Sequence, residues 1–159
     1  MNRRLALSAL AALGIAALSA TLPTHAADPT IAGTWDLDVA KSKSTDAMPK
    51  SITRSYEVTG SSEKLTGTII TADGKSIPIN FTATLDGKDS RFQSPGVDAL
   101  ALTKVDALTV SYVTKLAGKQ VATGSRVLSA DGRTMTFNQK GLNPAGAPFE
   151  STIDRKSVV

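Results

Sequence analysis

Hydrophobic and polar residues alternate with a period of two along most of the chain beyond residue 30. Trp35, Leu37 and Val39 alternate with polar neighbours, and the stretch from Ile77 to Leu85 does so over a longer run. This alternation is typical of strands with one buried face and one solvated face. It predicts strands at 33–39, 51–59, 64–71, 77–86, 99–105, 108–116, 119–129, 134–140 and 149–156.

Short turn signals separate these runs. Asp-Gly pairs at 73–74, 86–87 and 131–132 favour tight hairpins, because both residues tolerate a positive φ. Short connections favour antiparallel pairing of successive strands, and closing such a sheet removes its exposed edges. We therefore predict an all-β, antiparallel, up-and-down β-barrel of about 8–9 strands. A two-sheet sandwich would give nearly the same strand pattern and stays open as an alternative.

The N-terminal residues have the pattern of a cleavable secretory signal peptide. Arg3 and Arg4 precede an uncharged apolar run from Leu5 to Leu18, and Thr24-His25-Ala26 offers a peptidase site. The run of about 14 residues is shorter than the roughly 18–20 that span a bilayer. We expect residues 1–26 to be removed, leaving one barrel domain at 27–159 that is periplasmic or secreted. Without cysteine there is no lipobox, so we expect no stable membrane anchor.

Cleavage would also remove the only histidine, His25, and lower the formal net charge from +4 to +2. A chain with neither His nor Cys lacks the side chains of a Ser-His-Asp triad, a thiol nucleophile, and imidazole, thiolate or haem sites. No pair of Asp or Glu residues falls clearly on the inward side of two strands, so paired catalytic carboxylates are not indicated. We expect no enzyme, no cofactor and no metal. Scattered charges of mixed sign argue against nucleic acid as a partner.

Four polar or amphipathic residues fall on the apolar side of their strands. Arg54 and Tyr56 share a side with Ile52, Tyr112 lies among aliphatics, and Arg126 stands two residues before Leu128. A buried arginine needs an anionic partner, which in a barrel can be a bound ligand. These four are the candidate ligand-binding residues. The alternative is that the arginines reach the rim or that a bulge reverses their side.

The motif Gly33-Thr34-Trp35 at the first strand resembles the Gly-x-Trp motif of lipocalins and the wider calycin group. That resemblance implies that Gly33 and Trp35 are structural, with Trp35 plugging one barrel end and Arg155 of the last strand packing across it. The chain is also similar to small, uncharacterised lipocalin-like secreted bacterial proteins. They share segments resembling Ala40-Lys41-Ser42-Lys43, Thr123-Gly124-Ser125-Arg126, Ser129-Ala130-Asp131-Gly132-Arg133 and Lys140-Gly141.

Two functions remain open from the sequence. The first is an exported barrel that binds a small apolar or amphipathic ligand in its interior. The second is a structural or protein-interaction module of the cell envelope with a filled core. A roomy interior with a convergent arginine would favour the first, and a packed interior would favour the second.

Overall fold

The computed structural model describes residues 29–158, so the predicted signal peptide at 1–26 lies outside the described part. A short 3-10 helix, Val39–Lys41, follows the first strand. The strands are β1 Gly33–Leu37, β2 Lys43–Ser44, β3 Ser51–Thr59, β4 Ser62–Ile70, β5 Ser76–Thr84, β6 Asp86–Ser94, β7 Val97–Lys104, β8 Thr109–Leu116, β9 Lys119–Leu128, β10 Thr134–Leu142 and β11 Pro148–Val158. No helix within 29–158 is long and apolar enough to cross a membrane.

All eleven strands belong to one antiparallel sheet in the order β5-β4-β3-β1-β11-β10-β9-β8-β7-β6, with β2 on β11. The first strand pairs with the last, so the sheet curls into a nearly closed barrel. Strands β5 and β6 meet at the remaining seam, where the structure records no backbone ladder between them among the described residues. The predicted antiparallel barrel is confirmed, and the single continuous sheet argues against the two-sheet sandwich.

The predicted count of 8–9 strands is wrong, because ten strands form the wall and β2 adds an eleventh. The sequence assigns Asp86-Gly87-Lys88-Asp89 to a turn, whereas this segment begins β6. Gly87 does have a positive φ of 78°, and the pairing of β6 with β7 shifts register between Asp86 and Asp89. The turn signal therefore marks a bulge inside a strand rather than a break between strands.

One end of the barrel is closed by an apolar floor around Trp35. This side chain is 1% exposed, and its indole N–H donates a hydrogen bond to the Ile31 carbonyl at 2.8 Å. Leu128 and Met135 pack into the same cluster. Gly33 precedes Trp35 by two residues with φ +122°, a backbone conformation that favours glycine, so the motif sets the direction of the strand that carries the plug.

The opposite end is crossed by the segment 42–50, which we call the strap. Ser44 of β2 pairs with Ser151 of β11, and the Thr45 amide donates to the Glu150 carbonyl at 3.0 Å. Asn143 Nδ2, from the β10–β11 turn, donates to Asp46 Oδ1 at 3.1 Å. The strap is thus tied to two elements of the barrel rim, and this end is the mouth.

Candidate functional site

The barrel interior contains a cavity of about 280 Å³. Aliphatic side chains from opposite walls form much of its surface, among them Ile52, Ile69, Ile79, Leu100 and Ile153. Ser44, Asp46 and Met48 of the strap line it at the mouth. At about 30 Å³ per molecule in the liquid, this volume corresponds to roughly nine waters, so the site suits a small molecule.

Three arginines project into this interior from three different strands. Arg54 of β3, Arg126 of β9 and Arg155 of β11 all line the cavity. They sit on the inward side of their strands, because Arg54 pairs across the sheet with Trp35 and Arg126 with Phe137. The charge environments of the three differ, and that difference defines the site.

Arg126 is neutralised within the protein. Its Nη1 and Nη2 donate to Glu63 Oε2 and Oε1 at 2.7 and 2.6 Å, a bidentate pair whose side chains are 6% and 3% exposed. Burial alone would lower the pKa of Arg126, but the hydrogen bonds and charge of Glu63 raise it above its usual value. Arg126 also lies over the Tyr56 ring, 5.6 Å from its centroid. The carboxylate of Glu63 therefore compensates the charge of Arg126, in a contact that joins β9 to β4.

Arg54 and Arg155 share the aromatic ring of Phe137 instead of a carboxylate. The guanidinium carbon of Arg155 lies 4.1 Å from the ring centroid, and that of Arg54 lies 5.5 Å from it. Neither arginine forms a salt bridge with the acidic residues that the structure describes. Cation–π contact contributes about 0.5–2 kcal/mol, which does not replace the hydration that a buried guanidinium loses.

Buried N–H groups of these two arginines also lack hydrogen-bond partners within residues 29–158. Nε and Nη1 of Arg155 and Nε of Arg54 are buried and have no hydrogen-bond partner in the described part of the chain. Burial, together with the nearby charge of Arg54, lowers the pKa of Arg155 to about 9. Buried donors in native proteins nearly always have a partner, which can be a protein group, an ordered water or a ligand.

The rings of Tyr56 and Tyr112 border the same space. Tyr112 donates to Gln139 Oε1 at 2.9 Å, and its pKa is raised by burial, although the charges of Arg54 and Arg155 oppose the rise. Tyr112 lies over Gly124, where an added Cβ would come within 2.7 Å of the ring and its hydroxyl. Gly67 stands opposite Arg54 in the same way, with an added Cβ 3.2 Å from Arg54 Cγ. Each glycine leaves room for the side chain on the neighbouring strand.

The four candidate ligand-binding residues thus all face the interior, with Arg54 and Arg126 inward as their alternation indicates. Sequence reasoning missed Glu63, because its partner is 63 positions away and no local pattern connects them. Sequence reasoning also did not foresee that Arg155 stacks on Phe137 of the neighbouring strand β10. The packing of Arg155 across Trp35 stays a prediction.

Comparisons with known proteins give a distant structural likeness. No family model matches the chain, and no curated protein matches it in sequence. Among solved structures, it is similar to a zebrafish ileal bile acid-binding protein complexed with cholic acid, at 11% identity and a TM-score of 0.48. The similarity covers 80% of this chain and 98% of the other. A likeness at this level does not bear on what this chain binds.

Proposed function

We propose that this barrel binds a small amphipathic anion in its interior. The anionic group lies deep, against Arg54 and Arg155, and the apolar part runs along the aliphatic wall towards the mouth. The observation that carries this proposal is a pair of guanidinium groups, Arg155 buried and Arg54 half-buried, that line one cavity without a carboxylate partner among residues 29–158 and leave three buried nitrogen atoms without a hydrogen bond.

The energetics favour an occupant of this kind. A buried, unpaired charge destabilises a folded protein by several kcal/mol, and a charge-assisted hydrogen bond contributes about 1.5–3 kcal/mol. An anion bound to Arg155 would remove the destabilisation by the unpaired charge and would add the free energy of a charge-assisted hydrogen bond. The aliphatic wall would add roughly 0.8 kcal/mol for each CH₂ group that it buries.

The filled-core module is the weaker reading, because it gives the cavity and the unpaired arginines no role. A core that served only as a scaffold would be more stable with apolar side chains at these two positions. The open space of about 280 Å³ beside them supports binding over scaffolding.

Calorimetric titration of the mature protein with octanoate, compared with octanol of the same chain length, tests the proposal. We expect saturable octanoate binding that is at least tenfold tighter than octanol binding. Arg155→Met should weaken octanoate binding at least tenfold. Arg91→Met, on an exposed position of β6, should leave it unchanged and serves as the matched control. Equal affinities of Arg155→Met and the original protein for octanoate would refute the proposed site.

We further propose that the protein is exported, on the strength of residues 1–26. The exported form should begin at Ala27, which intact-mass measurement of protein from the periplasm or medium would show. A chain that retains Met1 in those fractions would contradict cleavage.

A further inference from the structure

We propose that the preferred anion carries two negative charges on its head, as a phosphate monoester of a short alkyl chain does. This inference rests on the proposed function and narrows it, because an interior anion site alone would accept a carboxylate equally well.

The charge balance of the interior gives the first argument. Three guanidinium groups line the cavity, and Glu63, paired with Arg126, is the one buried acidic residue in 29–158. Asp46 also lines the cavity, but it belongs to the strap at the mouth and accepts from Asn143. The deep end therefore holds an excess of two positive charges. A carboxylate would neutralise one of them and leave the other without a counter-charge.

The arrangement of donors gives the second argument. The guanidinium carbons of Arg54 and Arg155 lie 5.5 and 4.1 Å from the centroid of the Phe137 ring, so both positive charges border the same aromatic side chain. Three of their nitrogen atoms are buried and unpartnered. The two oxygens of a carboxylate accept in one plane, whereas the three terminal oxygens of a phosphate monoester point in different directions. The tetrahedral head can therefore meet donors that arrive from two separate strands.

The pH dependence of phosphate provides a direct test of the second charge. A phosphate monoester loses its second proton with a pKa of about 6. The charged and titratable groups that line the cavity are Arg54 and Tyr56 on β3, Tyr112 on β8, Arg126 on β9 with its partner Glu63, Arg155 on β11, and Asp46 of the strap at the mouth. Residues 29–158 contain no histidine. Between pH 5 and 7.5 the phosphate itself is the group that we expect to change charge.

Four ligands with the same eight-carbon chain separate the possibilities. The mature protein is titrated with octyl phosphate, octyl sulfate, octanoate and octanol at pH 7.5 and pH 5.0. At pH 7.5 we expect octyl phosphate to bind at least tenfold more tightly than octyl sulfate or octanoate. At pH 5.0 its advantage over octyl sulfate should shrink to threefold or less, since both heads then carry a single charge.

Arg54→Met supplies the matching variant. Its affinity ratio of octyl phosphate to octyl sulfate at pH 7.5 should fall to threefold or less, because a single unpaired guanidinium remains. The ratio is measured within one variant, so a general loss of stability does not alter it. Arg91→Met should keep the original ratio.

The outcomes separate this inference from the proposed function. If octyl sulfate and octanoate bind within threefold of octyl phosphate at both pH values, the doubly charged head is refuted and the interior anion site stands. If none of the four ligands saturates, or if octanol binds as tightly as the anions, both proposals fall.

Discussion

Breaking the buried ion pair between Glu63 and Arg126 should be costly, whereas replacing both partners should not. In Glu63→Gln, the guanidinium of Arg126 loses its counter-charge at a position where the two side chains are 3% and 6% exposed. Removing one partner of such a pair destabilises a protein by about 3–5 kcal/mol. Domains of this size unfold with about 5–15 kcal/mol, so this variant loses roughly a fifth or more of its stability. The unfolding midpoint should fall by roughly 10–20 °C.

Trp35 is the single tryptophan of the chain and lies in the floor of the barrel, so its fluorescence reports unfolding in denaturant. The double variant Glu63→Leu with Arg126→Met should recover to within about 1 kcal/mol of the original protein or exceed it, because both charges of this buried pair are then absent. Glu57→Gln is the matched control. Its pair with Lys64 has side chains 69% and 52% exposed, so it should change stability by about 0.5 kcal/mol or less. A Glu63→Gln variant as stable as Glu57→Gln would refute the argument, as would a double variant no better than the single one.

Three further predictions concern the site and the turns. Arg155→Met should stabilise the empty barrel by about 1–4 kcal/mol in denaturant titrations, and a loss of stability would show that its charge is compensated. Gly124→Ala should lower stability in denaturant titrations by about 1–3 kcal/mol and weaken octanoate binding, because the new methyl group meets the Asn138 carbonyl of the neighbouring strand as well as the ring of Tyr112. The pKa of Asp86 is lowered to about 2 by its hydrogen bonds with Thr84 and Lys88, so it stabilises the fold above pH 3.8, and that contribution is lost as pH falls towards 2. Thermal midpoints of Asp86→Asn should therefore fall less over that interval than those of the original protein.

The barrel could be predicted from the sequence because each strand carries its own two-residue alternation. Arg54 and Arg126 follow the same rule, and the structure places both inward. What alternation cannot show is which charges meet across the barrel. The partner of Arg126 lies 63 positions away, so its identity depends on the order of strands around the whole barrel.

Strand β6 shows the other limit of local patterns. Its sequence opens with Asp86-Gly87-Lys88-Asp89, which predicts a turn, and its side chains are mostly polar. The strand forms because β7 pairs with it and because Phe92 packs edge-on against Phe81 of β5, with ring centroids 5.4 Å apart. Both contacts are tertiary and override the local preference.

The three interior arginines differ in whether the fold itself supplies a counter-ion. Arg126 is held by Glu63, so the fold already contains its counter-ion. Arg54 and Arg155 lack a counter-ion within the described part of the chain. In the ligand-free barrel their charges therefore lower a free energy of unfolding that is only about 5–15 kcal/mol for a domain of this kind. An anion that binds the folded barrel would add about 2.7 kcal/mol of stability at a concentration one hundred times its Kd. If the proposed function holds, occupancy and stability are coupled through the same two side chains, and the ligand-free protein is the less stable form.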